Sequence, residues 1–252
     1  MTARTVLVTG GAKRIGAAIS ARLAKAGWRV VIHYRLPADD ARALADRIGG
    51  QTIDADLADP AAAAALPART AALLQAPLDA VVNNASVFEY NTAESFTVED
   101  WSRDQAVNLL APVLIARSFA RLVEPGRMGA VVNMLDQKLW NLNADFFSYT
   151  ISKIGLEGAT RMLARALAPS VRVNAVAPGL VLPSGNQTEE EFRAVAGKYN
   201  LMQRPIDIDA IAGAVRFLLE NTAMTGCTLL ADNGQHMVAS DHDIMFSTRG
   251  HQ

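Results

Sequence analysis

The chain has 252 residues, half of them hydrophobic, and a formal net charge of −1. A near-neutral balance argues against nucleic-acid or membrane-surface partners, and the length allows one sizeable core in a single α/β domain. The lone Cys227 cannot form an internal disulfide, and no apolar run reaches the roughly 20 residues that a bilayer-spanning helix needs.

The N-terminal MTARTVLVTG runs directly into a strand-like segment, so no signal peptide is expected and the protein reads as cytoplasmic. Strands are expected at 5–9, 28–34, 78–83, 129–135, 171–177 and 227–231, with 51–57 a weaker candidate. Between them lie helix-like stretches at 14–26, 38–48, 60–75, 98–122, 148–168 and 207–220. Most of the strand runs are nearly continuous in apolar residues, as strands covered on both faces must be. This alternation predicts right-handed βαβ crossovers and a doubly wound parallel sheet with helices on both faces, in one domain over 1–252. Pro112 is expected to kink the helix 98–122. Residues 183–200 carry turn formers and charge, and read either as a lid over a site or as a solvated surface helix.

TVLVTGGAKRIGAAIS, 5–20, runs from strand through glycine turn to helix. Gly10 permits the tight turn and Gly16 lets the helix pack closely, so backbone N–H groups at the helix start can meet a pyrophosphate. The middle glycine of that pattern is replaced by Arg14. A site preferring NAD places a carboxylate at the end of the second strand to bond the ribose hydroxyls. Here that stretch reads His33-Tyr34-Arg35, with no acid before Asp39. Arg35, with Arg14 alongside, either provides a cationic fork for a 2′-phosphate or covers the sheet edge; the missing acid favours NADP(H). Asp56, after the third strand candidate, is placed to accept from an adenine amino group.

In MLDQKLWNLNADFFSYTISK, 134–153, Tyr149 and Lys153 stand one helical turn apart, as a proton-handling phenol and ammonium would. Taken together with TGGAKRIG, NNAS at 83–86, Asn108 and NAVAPG at 174–179, this pair resembles the short-chain dehydrogenase/reductase family over residues 4 to 235. The resemblance implies a Rossmann-type fold and an NADP-dependent oxidoreductase. It makes Tyr149 the general acid and gives Lys153 the nicotinamide ribose hydroxyls and a lowering of the phenol pKa. It makes Asn108 a support for a water relay. It also implies cofactor contacts from Gly10, Lys13, Arg14, Ile15, Gly16, His33, Tyr34, Arg35, Asp56, Leu57, Asn83, Asn84, Ala85, Ser86, Pro178, Gly179 and Leu180.

Typical members carry serine thirteen residues before the tyrosine; here that place holds Asp136. An ionised carboxylate only accepts hydrogen bonds and would repel the oxyanion of a ketone under reduction, so it suits a substrate that presents N–H groups or a ring nitrogen. The alternative is a strand-end residue capping local N–H groups. The aspartate, Arg14 and NNASVF with Phe88 are similar to the pteridine and dihydromonapterin reductase branch. In that branch Phe88 would stack the pterin, with Ser86, Arg14, Asp136 and Tyr149 also contacting substrate; the bland reading of Phe88 is packing. An ordinary carbonyl reductase and a silent NADP(H)-binding protein are the competing expectations. Tyr90, Trp140, Phe146 and Phe147 either line a pocket or fill a hydrophobic shell. ADNGQHM departs from the family's Asp-Gly-Gly, and the tail DHDIMFSTRGHQ either frays or packs into a neighbouring subunit. A homotetramer is expected, with Gly155, Gly158 and Ala159 permitting close helix contacts, and no metal is expected.

Overall fold

The apolar runs form seven strands: β1 (Thr5–Val8), β2 (Arg29–Tyr34), β3 (Gln51–Asp54), β4 (Ala80–Asn83), β5 (Gly129–Met134), β6 (Val171–Pro178) and β7 (Thr228–Ala231). They pair in parallel in the order β3-β2-β1-β4-β5-β6-β7. The structure, a computed structural model, describes residues 3–184 and 187–247. Every residue of β1, β4, β5 and β6 is buried, which explains why those runs do not alternate with polar residues.

Successive side chains go to opposite layers. Val6, Val8, Val30, Ile32, Val82 and Val132 pack with α1 (Arg14–Lys25), α2 (Asp39–Ile48) and α8 (Ile208–Glu220). Leu7, Val31, Val81, Val131 and Val173 pack with α3 (Pro60–Leu74), α5 (Ala111–Ala120) and α6 (Phe147–Leu167). Each fully buried Val, Leu or Ile in these layers contributes about 1.5–3 kcal/mol. The sheet reverses direction of growth at β1, which pairs with β2 on one side and β4 on the other. The C-terminal ends of those strands therefore open a crevice, where ligands of open α/β sheets bind.

Two expectations need correction. The third strand covers only 51–54 of the candidate 51–57. The long helix over 98–122 is three pieces: α4 (Val98–Gln105), a π-helical turn over Ala106–Leu110, and α5. Pro112 cannot donate an amide hydrogen to the Asn108 carbonyl one turn back, and the widened turn takes up the interruption. Gly155 serves a contact inside the chain: a Cβ there would come within 2.8 Å of Leu109 in the π-turn. The segment after β6 contributes α7 (Glu189–Val195), started by a reciprocal cap between Thr188 and Glu191. Residues 185 and 186 of the expected lid, and the tail beyond 247, lie outside the described residues.

Candidate active site

The crevice at the C-terminal strand ends is a cleft of about 600 Å³. At one end lies the glycine turn. Gly10 has a left-handed φ of +58°, and a Cβ there would come within 2.9 Å of the Ala85 Cα, so the turn and the start of the NNAS segment close on each other. Thr9 Oγ1 accepts from the amides of Asn84 and Ala85, and Asn84 Nδ2 donates to the carbonyls of Thr9 and Gly10. Arg14 itself stands at φ +52°, the conformation a glycine would take without strain. Its Nη2 donates to the Pro183 carbonyl at 2.7 Å, across the mouth of the cleft.

His33 fastens this end from below. Its Nδ1 accepts from the Gly10 amide at 3.1 Å, so Nε2 carries the hydrogen that it donates to the Ala55 carbonyl at 3.1 Å. Burial lowers its pKa to about 4, so the ring is neutral. Lys13 pairs with Asp40 at 2.6 Å on the exposed rim. Arg35 lines the cleft, and no carboxylate stands at the end of β2.

At the other end, α6 carries Tyr149 and Lys153 on one face. The Tyr149 hydroxyl donates to Asp136 Oδ2 at 2.9 Å, and Asp136 Oδ1 accepts from the Lys138 amide at 2.9 Å. The capping reading of Asp136 is met, and its second oxygen is left for the phenol. One oxygen caps the 3₁₀ turn Gln137–Trp140, and the other meets the phenol. Lys153 Nζ donates to the Met134 carbonyl at 2.8 Å. Burial, then the Asp136 carboxylate, pushes the phenol well above its ordinary pKa of 10. This reverses the lowering expected from Lys153, whose ammonium is spent on a carbonyl while the carboxylate bonds the hydroxyl directly. Burial lowers Lys153 to about 8 against the opposing pull of Asp136. Burial raises Asp136, against the two hydrogen bonds that favour its ionised form. The start of α6 is held by Ser148, which donates to the buried Asp104 and accepts from Asn91 Nδ2 at 2.7 Å.

Asn108, presented by the π-turn, is a brace. Its Oδ1 accepts from Ser86 Oγ and the Val87 amide, and its Nδ2 donates to the Val87 carbonyl and Ser152 Oγ. It ties α6 to the loop that carries Phe88. The Phe88 ring stacks on Phe146 with centroids 4.0 Å apart and meets Tyr149 edge-on at 4.7 Å. Tyr90 and Phe246 pack edge-on, and Phe246 stacks on Phe146 at 6.1 Å. The tail through 247 therefore packs on its own chain. Phe146 belongs to this cluster, whereas Phe147 packs with Phe96 and Trp101.

The cleft gathers Gly10, Lys13, Arg14, Ile15, Gly16, His33, Arg35, Asp56, Leu57, Asn84, Ala85, Ser86, Phe88, Asp136, Tyr149, Lys153, Pro178, Gly179 and Leu180. Three expected contacts stand behind its wall. Tyr34 packs into the α1–α2 layer, Asn83 is buried and donates to Asn133 at 2.8 Å, and Asn108 is fully used by the Phe88 loop and Ser152. Two features were missed. Gln235 Oε1 accepts from the Leu180 amide at 2.8 Å, fixing the strand-end loop. Asp232 caps the intervening turn through Gly234 and His236, with Asn233 accepting a left-handed φ of +54°. The Asp-x-Gly spacing was the signal for that turn.

This arrangement defines a dinucleotide-binding oxidoreductase: a glycine turn at the sheet's switch point and a buried tyrosine–lysine pair at the far end of one cleft. The comparisons place it more closely. A family profile described as enoyl-(acyl carrier protein) reductase matches residues 10–236, and the chain belongs to the short-chain dehydrogenase/reductase family. It is 31% identical to pteridine reductase 1 of Leishmania tarentolae, over 92% of this chain and 96% of that one. It is 33% identical to D-threitol dehydrogenase of Mycolicibacterium smegmatis, over 92% of each. A crystal structure of FolM alternative dihydrofolate reductase 1 from Brucella suis, in complex with NADP, superposes with a TM-score of 0.89 at 39% identity, covering 94% of this chain and 96% of that one. Among the described residues no helix is long and apolar enough to cross a membrane.

Proposed function

We propose that the protein is an NADPH-dependent reductase that saturates a C=N bond of a pterin or dihydropterin. The observation that carries this reading is the 2.9 Å hydrogen bond from the Tyr149 hydroxyl to Asp136 on the cleft wall. The cleft suits a phosphorylated dinucleotide: a glycine turn closed too tightly to admit a Cβ at Gly10, Arg14 on that turn, and Arg35 after β2 where a ribose-binding acid would stand. The NADP in the Brucella suis relative supports that cofactor, and the names pteridine reductase and dihydrofolate reductase support the substrate class.

When bound, NADPH supplies a hydride to the substrate carbon and leaves oxidised. Lys153 would hold its ribose. Tyr149 keeps its proton to high pH because of burial and Asp136, and so has one to give to the ring nitrogen as the carbon is reduced. The C=N bond becomes CH–NH, and the phenol is reprotonated from solvent. Asp136 accepts an N–H of the substrate, while the oxyanion of a ketone would lie against that carboxylate. Phe88 would bring a flat face to a flat ring.

The resemblance to D-threitol dehydrogenase favours a second reading, reduction of a sugar, small ketone or 3-oxoacyl group. Steady-state assays with NADPH and biopterin, dihydrobiopterin, dihydromonapterin and dihydrofolate decide between them. Turnover of at least one is expected; robust ketone reduction with none of them would overturn the pterin reading. We further propose a homotetramer in a reducing cytoplasm. Exposed Leu110, Ile154 and Met162, and the free Cys227, support it. A stable monomer by light scattering would refute the assembly.

A further inference from the structure

Lys138, two residues after Asp136, is only 3% exposed. A lysine is rarely buried that far without partners, and here the partners come from two other segments. Its Nζ donates to the Asp145 carbonyl at 2.7 Å and to Asp243 Oδ2 at 3.4 Å, and lies 5.3 Å from the Phe146 ring centroid. That distance suits a cation–π contact, which offsets part of the ammonium's lost hydration. The turn Gln137–Trp140, the approach to α6 and the C-terminal tail therefore meet at one charge.

Further bonds close the tail onto this junction. The Asp243 amide donates to Asp145 Oδ2 at 2.7 Å, and Asp145 Oδ1 accepts from the Tyr90 hydroxyl at 3.4 Å. Asn141 Nδ2, just past the turn, donates to the Val238 carbonyl at 2.7 Å. Beyond Asp243, Met245 is buried against Phe146 and Tyr149. Each segment held in this way also bears on the proton-delivering pair. The Lys138 amide holds Asp136 Oδ1, and the Phe146 carbonyl accepts from the Thr150 amide in the first turn of the helix that carries Tyr149. Phe146 takes a left-handed φ of +53°, a costly conformation for a bulky residue that the surrounding contacts must maintain.

We propose that Lys138 is a positioning residue: its ammonium clamps the C-terminal tail to the turn and to the start of α6, and thereby fixes the Asp136 carboxylate against the Tyr149 hydroxyl. The tail, far in sequence from every motif of the site, is then a working part of the proton-delivering end. Lys138 acts through Asp136 and takes no part in the bond changes itself. The inference rests on Tyr149 being the proton donor of the reductase, and adds what holds that donor in place.

The test uses Lys138→Met, which keeps an unbranched side chain and removes the charge, and Asp243→Ala, which breaks the clamp from its more exposed side. Single-turnover reduction of a dihydropterin should slow by about tenfold or more in each, with the dihydropterin KM and the NADPH Kd within about twofold of the unaltered values. Added to Asp136→Ala, Lys138→Met should cost less than about twofold more, since the carboxylate it positions is gone. Amide hydrogen exchange over residues 137–149 should quicken by about fivefold or more in both variants, and that of the strands should not change. Unchanged turnover, an equal loss with and without Asp136, or unchanged exchange over 137–149 overturns the clamp. If Lys138→Met fails to fold, Asp243→Ala and its pairing with Asp136→Ala carry the same comparison. Exchange is read without substrate, so an enzyme that reduces no dihydropterin overturns the reading of the cleft while the clamp is still judged.

Discussion

Arg14 reaches across the cleft mouth to the Pro183 carbonyl at 2.7 Å from a backbone φ of +52°. The side chain therefore spans the entrance while its own backbone is held in a conformation that costs a non-glycine residue about 1 kcal/mol. Replacing Arg14 by glycine should raise the thermal stability of the free enzyme by about that amount. It should also raise the KM for NADPH severalfold by removing a cation from the phosphate end. Calorimetry and cofactor titration of one variant check both halves.

Asp136 and Tyr149 should behave as one unit. Tyr149→Phe and Asp136→Asn are each expected to lower kcat with a dihydropterin by at least about a hundredfold, and the double variant should lose little more. Additive losses in stopped-flow single turnovers would show two independent groups.

Lys153 has a folded pKa of about 8, below its ordinary 10.5. Its ammonium is therefore present below pH 8 and lost above it, and NADPH affinity should fall above that point by up to about tenfold per pH unit. The same burial penalises the protonated lysine in the fold throughout neutral pH, and the penalty fades as pH rises from about 8 to 10.5. Lys153→Met is thus expected to abolish turnover while stabilising the free protein at pH 7 by roughly 1–3 kcal/mol. A lower melting temperature would contradict it.

His33 has its pKa depressed from 6.5 to about 4. Such a group contributes fully above its unfolded pKa of 6.5, and the contribution disappears as pH falls through 4, where the ring must take a proton and give up its bond from Gly10. Stability should drop by up to about 3 kcal/mol across that window. His33→Gln should flatten the slope, as melting temperatures between pH 7 and 4 will show.

Much of this was legible before any coordinates. Continuous apolar runs at β1, β4, β5 and β6 could only be strands covered on both sides, and the glycine turn with Tyr149 and Lys153 marked the two ends of the cleft. What escaped depends on tertiary distance. That Asn108 braces the Phe88 loop follows from a π-turn whose cause, Pro112, read only as a kink. Lys138, Gln235 and Asp243 are ordinary polar residues in a sequence; they acquire a role only when the 3₁₀ turn, the β7 turn and the tail converge. The direction of the Tyr149 pKa was missed because the tyrosine–lysine spacing suggested a pairing, whereas the lysine turns to the Met134 carbonyl.

The Asp136 carboxylate is a rigid coupling between two parts of the molecule, since its two oxygens are fixed to one another while one holds the Lys138 amide and the other the phenol. A shift of the 137–140 turn therefore cannot leave the phenol's direction unchanged, and the placement of the proton donor is set partly by a turn that itself carries no chemistry.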